Sequence, residues 1–355
     1  MDTALPPGST IGIFGSGQLG RMLALAAARL GLKTHIYAPT GSDSPAAQVA
    51  THFTTGAYDD TDAVAQFADS CDVLTYEFEN IPFETATLAA SLKPLRPSAS
   101  CLDIAQDRLT EKTFISEQAK VPVAPFEAVS TVFDLKRALK RMNGKCVLKT
   151  RRFGYDGKGQ AVIASDAEAD DAWRKLGDHP VIAEAFIPFV REVSIVCARG
   201  LDEKTAAYPL IENIHRNHIL HTSLAPAPKQ TVDAHKLAIR IMDTLDYIGV
   251  MATEFFELPN GALIVNEIAP RVHNSGHWTQ DAGCIDQFEQ HIRAVAGWPL
   301  GSAKPQHSVE MTNLIGTDTE LWEELAAKEN TFLHFYGKSE PREGRKMGHI
   351  NRILN

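Results

Sequence analysis

Val250-Met251-Ala252-Thr253-Glu254-Phe255-Phe256-Glu257-Leu258-Pro259-Asn260-Gly261-Ala262-Leu263-Ile264-Val265-Asn266-Glu267-Ile268 reads as two apolar strand-like runs around a turn. If Asn260-Gly261 is a two-residue hairpin turn, Pro259 faces Ala262, and counting back residue by residue sets Glu254 opposite Glu267. Directly opposed side chains stand ~4.5–5.5 Å apart at Cβ, and like charges there are destabilising unless a cation lies between them. Phe255, Phe256, Ile264, Val265 and Ile268 make the pair apolar, so free solvation is a poor escape. Oxygen-only ligands point to Mg²⁺ rather than zinc, and Mg²⁺ held by few carboxylates usually carries nucleotide phosphates as well. The alternative is a protonated or exposed pair in another register.

Just beyond this segment, Arg271, His273, Asn274, Ser275, Gly276 and His277 form a polar loop beside the proposed metal strand. A fixed cation there could hold a small anion next to a transferred phosphoryl group. Upstream, Cys146-Val147-Leu148-Lys149 is a buried strand ending on an amine. It leads into Arg152-Phe153-Gly154-Tyr155-Asp156-Gly157-Lys158-Gly159-Gln160, whose backbone N–H groups could fold over phosphate oxygens. A plain flexible hairpin is the competing reading. His215, His218 and His221 suggest zinc, but in one strand His218 would point away from the other two.

At the N-terminus, strand 10–14, helix 18–30, Gly31 as a C-cap and strand 33–37 make a βαβ unit. Gly15-Ser16-Gly17-Gln18-Leu19-Gly20 fits G-x-G-x-x-G between strand and helix. The second strand ends His35-Ile36-Tyr37-Ala38-Pro39 without the acid a dinucleotide ribose needs, so a turn approaching some other phosphorylated ligand is preferred. Further on, 71–76 reads as a strand and 103–120 as a helix. Strands at 145–150, 160–165, 181–186 and 192–198 with a helix at 166–176 give an α+β middle segment.

A chain of 355 residues exceeds what one core usually organises, so clefts between domains are expected. The longest apolar run near the N-terminus, 22–28, is too short to span a bilayer, and residues 1–3 lack the start of a secretory signal. Five cysteines without paired spacing fit a reducing cytoplasm. The net charge of -9 argues against a nucleic-acid scaffold while allowing a local basic pocket.

Together with Tyr76-Glu77-Phe78-Glu79-Asn80-Ile81, Asn266 to His277 and Gly344-Arg345-Lys346-Met347-Gly348-His349-Ile350-Asn351, these motifs resemble the 5-(carboxyamino)imidazole ribonucleotide synthase family from about Thr10 to the C-terminus. The resemblance implies an ATP-grasp fold of mixed α/β and α+β class. It divides the chain into an N-terminal βαβ domain (1–106), an ATP-grasp domain of two α+β subdomains (107–298) and a small C-terminal domain (299–355). It implies a cytoplasmic homodimer that uses ATP, Mg²⁺ and bicarbonate to carboxylate aminoimidazole ribonucleotide. By position, Arg108, Lys149 and the loop Gly154, Tyr155, Asp156, Gly157, Lys158, Gly159 and Gln160 would meet the nucleotide phosphates. Glu184, Ala185, Phe186 and Ile187 would form the adenine-facing hinge, and Glu192 would take the ribose with His215 nearby. Asn266 and Glu267 would also belong to the ATP site, and Glu254 and Glu267 would hold Mg²⁺. Gln18, Leu19, Glu77 and Asn274 would meet the ribonucleotide, Lys338, Arg345 and Lys346 its 5'-phosphate, and Arg271 and His273 the bicarbonate. Ala269 stands where many ATP-grasp relatives carry an asparagine metal ligand, leaving that position to water. A formate-using glycinamide ribonucleotide transformylase, a non-catalytic nucleotide-binding module and an NAD oxidoreductase are the rival readings.

Overall fold

A computed structural model of the protein describes residues 4–154, 158–228 and 233–354. The first part runs β1 (Thr10–Phe14), α1 (Gln18–Arg29), β2 (Lys33–Ala38), β3 (His52–Thr55), α2 (Thr61–Asp69), β4 (Val73–Tyr76), α3 (Phe83–Leu92) and α4 (Ala99–Ala105). Its strands pair in the order β3-β2-β1-β4, all parallel. A parallel sheet is covered on both faces, and accordingly Ile11 and Ile13 pack in one core while Phe14 packs in another. Gly31 (φ 70°) follows α1 in the left-handed conformation that ends helices.

The expected helix over 103–120 is broken. Gln106 ends α4 still in helical conformation, its Nε2 donating to the carbonyls of Glu79 (2.7 Å) and Ile81 (2.6 Å), and the chain leaves the helical path at Asp107 (φ -127°, ψ 114°). Asp107 then starts a new helix, α5 (Arg108–Thr113), by accepting from the N–H groups of Leu109 and Thr110. An aspartate that can bond nearby backbone donors competes with helix continuation, and here the cap wins. A π-helical turn over Phe114–Gln118 follows.

β5 (Phe126–Val129), α6 (Val132–Arg141), β6 (Cys146–Thr150), β7 (Gln160–Ile163), α7 (Asp166–Leu176) and β8 (Val181–Ala185) make a small antiparallel sheet ordered β5-β8-β6-β7. Leu135 and Leu139 of α6 and Ala169 of α7 cover Leu148 and Ile163. The third sheet holds β9 (Arg191–Arg199), β10 (Thr205–Ala207), β11 (Ile211–Arg216), β12 (Ile219–Ala225), β13 (Gly249–Glu257), β14 (Leu263–Ala269), β15 (Ser308–Ile315), β16 (Thr331–Phe335) and β17 (Lys346–Leu354). Its order is β14-β13-β9-β11-β12-β15-β17-β16, with β10 beside β9. α8 (Ala234–Thr244) covers one face around Tyr247 and Phe255, and α9 (Gln287–Ala296) the other around Trp278. The short α10 (Trp322–Ala326) lies beside β16. Strands of the C-terminal segment therefore extend the same sheet that carries Glu254 and Glu267.

Two local expectations need correction. The β13–β14 turn is longer than two residues: Gly261 N–H donates to Leu258 O (2.8 Å) and Leu258 N–H to Ala262 O (2.9 Å), which pairs Glu257 with Leu263. His215, His218 and His221 do not share a strand, because β11 and β12 form a hairpin with His218 (φ 65°) in its turn. Among the described residues no group of three His, Cys, Asp or Glu is arranged to hold a metal ion. No described helix is long and apolar enough to cross a membrane, and the five cysteines are free.

Candidate active site

A cleft of ≈ 650 Å³ opens where the three sheets meet. At its floor Glu254 of β13 does pair with Glu267 of β14, although the register next to the turn is one residue off the expected one. The ladder runs Phe256–Ile264, Phe255–Val265, then Glu254–Glu267, so Asn266 is an extra residue in β14. Such a β-bulge sets two consecutive residues opposite one, which turns Asn266 and Glu267 towards the side Glu254 faces. All three line the cleft, and Asn266 Oδ1 is buried without a hydrogen-bond partner. The expected pairing was reached through two errors that cancel, a turn too short and a bulge not foreseen.

Each carboxylate has a donor at its flank. Arg108 Nη1 stands 2.7 Å from Glu267 Oε2, and His273 Nε2 stands 3.0 Å from Glu254 Oε1. The Glu267 carboxylate opens to the cleft yet sits deep below the protein surface. Burial pushes its pKa up, but Arg108, with Lys149 and His273 beyond, outweighs that and holds it at about 2. Lys149 Nζ donates to Glu184 Oε2 (2.9 Å), and Lys112 Nζ lies 3.3 Å from the same oxygen. Burial pulls the Lys149 ammonium below the usual lysine range against the pull of Glu184. Arg108 also reaches Gly154 O (3.4 Å), and Lys158 and Gln160 line the cleft. Gly159 is not on the cleft wall, and Tyr155, Asp156 and Gly157 lie outside the described residues. Ala185, Phe186 and Ile187 form another wall, with Glu192 and His215 facing each other at 3.1 Å. Burial disfavours the charged His215 ring, but Glu192 more than compensates and raises its pKa.

Arg271 makes a two-pronged ion pair with Glu79, Nε to Oε2 and Nη2 to Oε1 (3.1 Å), and its Nη1 donates to Val272 O. His273 is held at both nitrogens. Ser275 N–H donates to Nδ1 (3.3 Å), leaving the ring proton on Nε2 to face Glu254. Behind Nδ1 runs a buried chain of donors: Ser223 Oγ to Asn213 Oδ1, Asn213 Nδ2 to Ser194 Oγ, Ser194 Oγ to Ser275 Oγ, and Ser275 Oγ to His273 Nδ1, each 2.8 or 2.9 Å. Asn274 and His277 also line the cleft.

At the glycine turn, two backbone donors are already taken by the protein itself. Gly17 N–H and Gly20 N–H both donate to the buried Glu77 carboxylate, to Oε1 and to Oε2 (2.6 Å). The protein's own anion thus occupies the helix N-terminus. Burial raises the pKa of Glu77 in spite of these donors. Gln18, Leu19 and Glu77 line the cleft here, as does Lys346. Lys338 and Arg345 are not on the wall itself. Lys338 Nζ donates to Lys346 O (2.7 Å), and burial, then the charge of Arg345, pushes its pKa down to about 8.

The sequence reading missed Glu79, Lys112, Glu111 and the chain behind His273. Glu79 was legible as a second carboxylate two residues beyond Glu77, and Lys112 as one helical turn beyond Arg108. Ser194, Asn213 and Ser223 gave no such signal, because sheet topology alone brings them to Ser275.

A small and a large antiparallel sheet closing on lysine, arginine and paired carboxylates define the ATP-grasp ligases, and this chain is an ATP-dependent ligase of that class. Family models match along the chain: the ribonucleotide synthetase preATP-grasp domain at residues 9–106, the ATP-grasp domain at 114–288, and the phosphoribosylaminoimidazole carboxylase C-terminal domain at 310–355. The N5-carboxyaminoimidazole ribonucleotide synthase of Brucella melitensis is 48% identical over 99% of this chain and 98% of its own length. Among solved structures, the N5-carboxyaminoimidazole synthetase from Staphylococcus aureus complexed with ADP superposes with a TM-score of 0.94 at 37% identity, covering 100% of this chain and 95% of that one. The N5-carboxyaminoimidazole synthase from Aspergillus clavatus, in complex with ADP and 5-aminoimidazole ribonucleotide, gives 0.90 at 28% identity, covering 98% and 94%. The chain belongs to the N5-carboxyaminoimidazole ribonucleotide synthase family.

Proposed function

We propose that the chain carboxylates 5-aminoimidazole ribonucleotide with bicarbonate and ATP, forming N5-carboxyaminoimidazole ribonucleotide, ADP and phosphate in purine biosynthesis. The observation that carries this reading is one cleft lined by the carboxylate pair, by Arg271 and His273, and by Gln18, Leu19 and Glu77. In this reading ATP lies between the small and large sheets, its phosphates towards Lys149 and Arg108. The ribonucleotide reaches from Glu77 towards Lys346, with Lys338 and Arg345 behind it.

Glu254, Glu267 and the unpartnered Asn266 Oδ1 form an all-oxygen donor set that suits Mg²⁺. Bound there, Mg²⁺ would offset phosphoryl charge. A bicarbonate oxygen attacks the γ-phosphorus, the bond to the β-phosphate oxygen breaks, and ADP leaves. The resulting carboxyphosphate, or CO₂ released from it, is captured by the ribonucleotide amine. Phosphate departs, and it can accept the proton the amine loses. Arg271, fixed by Glu79 but with N–H groups to spare, holds the anion. His273 is a donor at Nε2 rather than a base, because Nδ1 already accepts from Ser275. Its work is to orient an intermediate that water would otherwise destroy.

Two rates on one sample test this: phosphate released and carboxyamino product trapped before it decays. With aminoimidazole ribonucleotide and bicarbonate the wild-type rates should match, and glycinamide ribonucleotide with formate should support neither. His273→Ala should keep Mg·ATP affinity while phosphate release exceeds product, since a poorly held intermediate escapes to water. Both rates at wild-type values would make His273 structural. Loss of ATP affinity alone would move the loop into the nucleotide site.

A further inference from the structure

The bulge in β14 has a price in backbone satisfaction, and one short helix meets it. β14 is an edge strand, with its outer side turned towards α5 and residues 122–123. Before the bulge the outward groups belong to Val265: its N–H donates to Pro122 O (2.9 Å) and its carbonyl accepts from Lys112 Nζ (3.4 Å). After the bulge the outward N–H belongs to Ile268, and it donates to Glu111 Oε1 (2.6 Å). An uninterrupted strand would present alternate residues, so the step from 265 to 268 is the phase change that the extra residue imposes. In between, the Asn266 carbonyl accepts from Lys112 Nζ (2.7 Å), and Arg108 Nη1 takes the Glu267 carboxylate.

We propose that Glu111 and Lys112 are positioning residues whose side chains fasten the β14 bulge, so that Asn266 and Glu267 both face the cleft alongside Glu254. Without the extra residue, pairing onward from Phe255–Val265 would set Asn266 opposite Glu254 and send Glu267 to the far side of the sheet. Lys112 is fully buried, and its ammonium reaches the Val265 and Asn266 carbonyls and Glu184. A lysine buried at this cost needs such partners. The fastening helix is itself anchored on the nucleotide side of the cleft. Its cap Asp107 pairs with Arg151 (2.7 Å), and Arg108 N–H donates to Arg151 O (2.9 Å) just after β6. The clamp therefore ties the position of Glu267 to the small sheet that carries Lys149.

This inference rests on the reading of Glu254, Asn266 and Glu267 as the Mg²⁺ site, so its test includes a readout that does not depend on metal. Lys112→Met keeps most of the buried volume and removes the donor. Amide hydrogen exchange in residues 264–268 of the free protein should speed up by about tenfold or more, while exchange in β1 stays unchanged. The Mg²⁺ concentration giving half-maximal ADP formation should rise about 10–100-fold, as when the support of a metal ligand is removed, with little change in KM for the ribonucleotide. Lys112→Met combined with Glu184→Gln separates two roles, read by exchange alone because Glu184 also holds Lys149. If Lys112 only balances the charge of Glu184, the double variant regains wild-type exchange at 264–268, and the proposal is overturned. If Lys112 holds the Asn266 carbonyl, exchange there stays fast.

Should Lys112→Met fail to fold, Glu111→Leu and Glu111→Gln decide. Gln keeps an acceptor for the Ile268 N–H and should behave nearly as wild type, whereas Leu should loosen 264–268. Equal behaviour of the two, or wild-type exchange in Lys112→Met, overturns the clamp. A Glu267→Gln protein with an unchanged Mg²⁺ requirement would instead remove the metal reading, and exchange at 264–268 would still decide the clamp.

Discussion

The β13–β14 hairpin and the glycine turn after β1 both line one cleft, and each joins an irregular backbone to carboxylates in the opposite sense. At the turn, two backbone N–H groups converge on an internal anion, Glu77. The glycines are required by that close approach: a Cβ at Gly17 would lie 2.8 Å from Glu77 Oε1, and one at Gly15 would fall on the Glu77 side chain. At the hairpin, the bulge gathers Glu254, Asn266 and Glu267 while the protein's own donors, Arg108 and His273, remain at the flanks. A glycine motif thus says that something anionic approaches the backbone without saying whose anion it is. Opposed carboxylates in an apolar ladder say more, since they require a cation from somewhere.

The strongest way to break this contrast is Glu267→Gln. We expect loss of ATP turnover by about a thousandfold or more with the fold retained, because the pair loses the charge that binds the cation. Turnover at the wild-type rate in ordinary Mg²⁺, measured beside an unchanged circular dichroism spectrum, would remove the metal role of the hairpin. At the glycine turn Glu77→Leu acts on stability. It leaves the N–H groups of Gly17 and Gly20 without their acceptor, at a cost of about 1–3 kcal/mol for each donor that stays buried and unpaired. Glu77→Gln should cost less, because it keeps a carbonyl oxygen and Glu77 already resists ionisation. A Leu variant as stable as wild type in urea would show that the turn does not depend on this cap.

Lys338→Ala sharpens the comparison on the Glu77 side. We expect KM for the ribonucleotide to rise about tenfold, the size of one charged contact, with KM for ATP nearly constant. Equal rises would place this lysine elsewhere. Since the Lys338 pKa lies near 8, wild-type KM for the ribonucleotide should climb as the pH passes that value and the ammonium is lost, and Lys338→Ala should not share the climb.

The contrast also explains what the sequence could reveal. Strands such as 10–14 and 181–186 were legible because apolar β-branched runs bounded by turn residues have few alternatives. Lys149 and Glu254 were legible as charged groups in apolar strands, which cost energy unless used. The helix break at Asp107 was not, since a single aspartate reads equally as interior or cap until Arg151 is known to lie beside it. The bulge at Asn266 was hidden for a similar reason: its warrant is Lys112, Glu111 and Glu267 meeting across sequence separations of about 150 residues. Glu77 filling the glycine turn likewise depends on β1 lying beside β4.

The smallest expected effect concerns the residue that physically links the two regions. His291 of α9 accepts from the Val250 N–H at Nδ1 (3.1 Å), near the start of the hairpin's first strand, and its Nε2 meets Thr75 Oγ1 (2.8 Å) on β4, next to the segment carrying Glu77. With Nδ1 accepting, Nε2 carries the proton and donates to Thr75, so the neutral ring satisfies both neighbours and a second proton has no place. Burial alone pushes its pKa from 6.5 down to about 3. The sign follows from which state binds the proton. Between pH 6.5 and 3 the unfolded chain protonates this histidine and the folded chain does not, so its contribution is intact above 6.5 and is lost as the pH falls. The slope is about 1.4 kcal/mol per pH unit for this one proton. His291→Leu should be less stable at pH 7, where it loses two hydrogen bonds, yet its stability should fall less steeply between pH 6 and 4. Urea midpoints at several pH values measure both quantities. Parallel slopes for the two proteins would mean that His291 takes up its proton in the folded state, and that the joint between hairpin and turn yields to acid without unfolding.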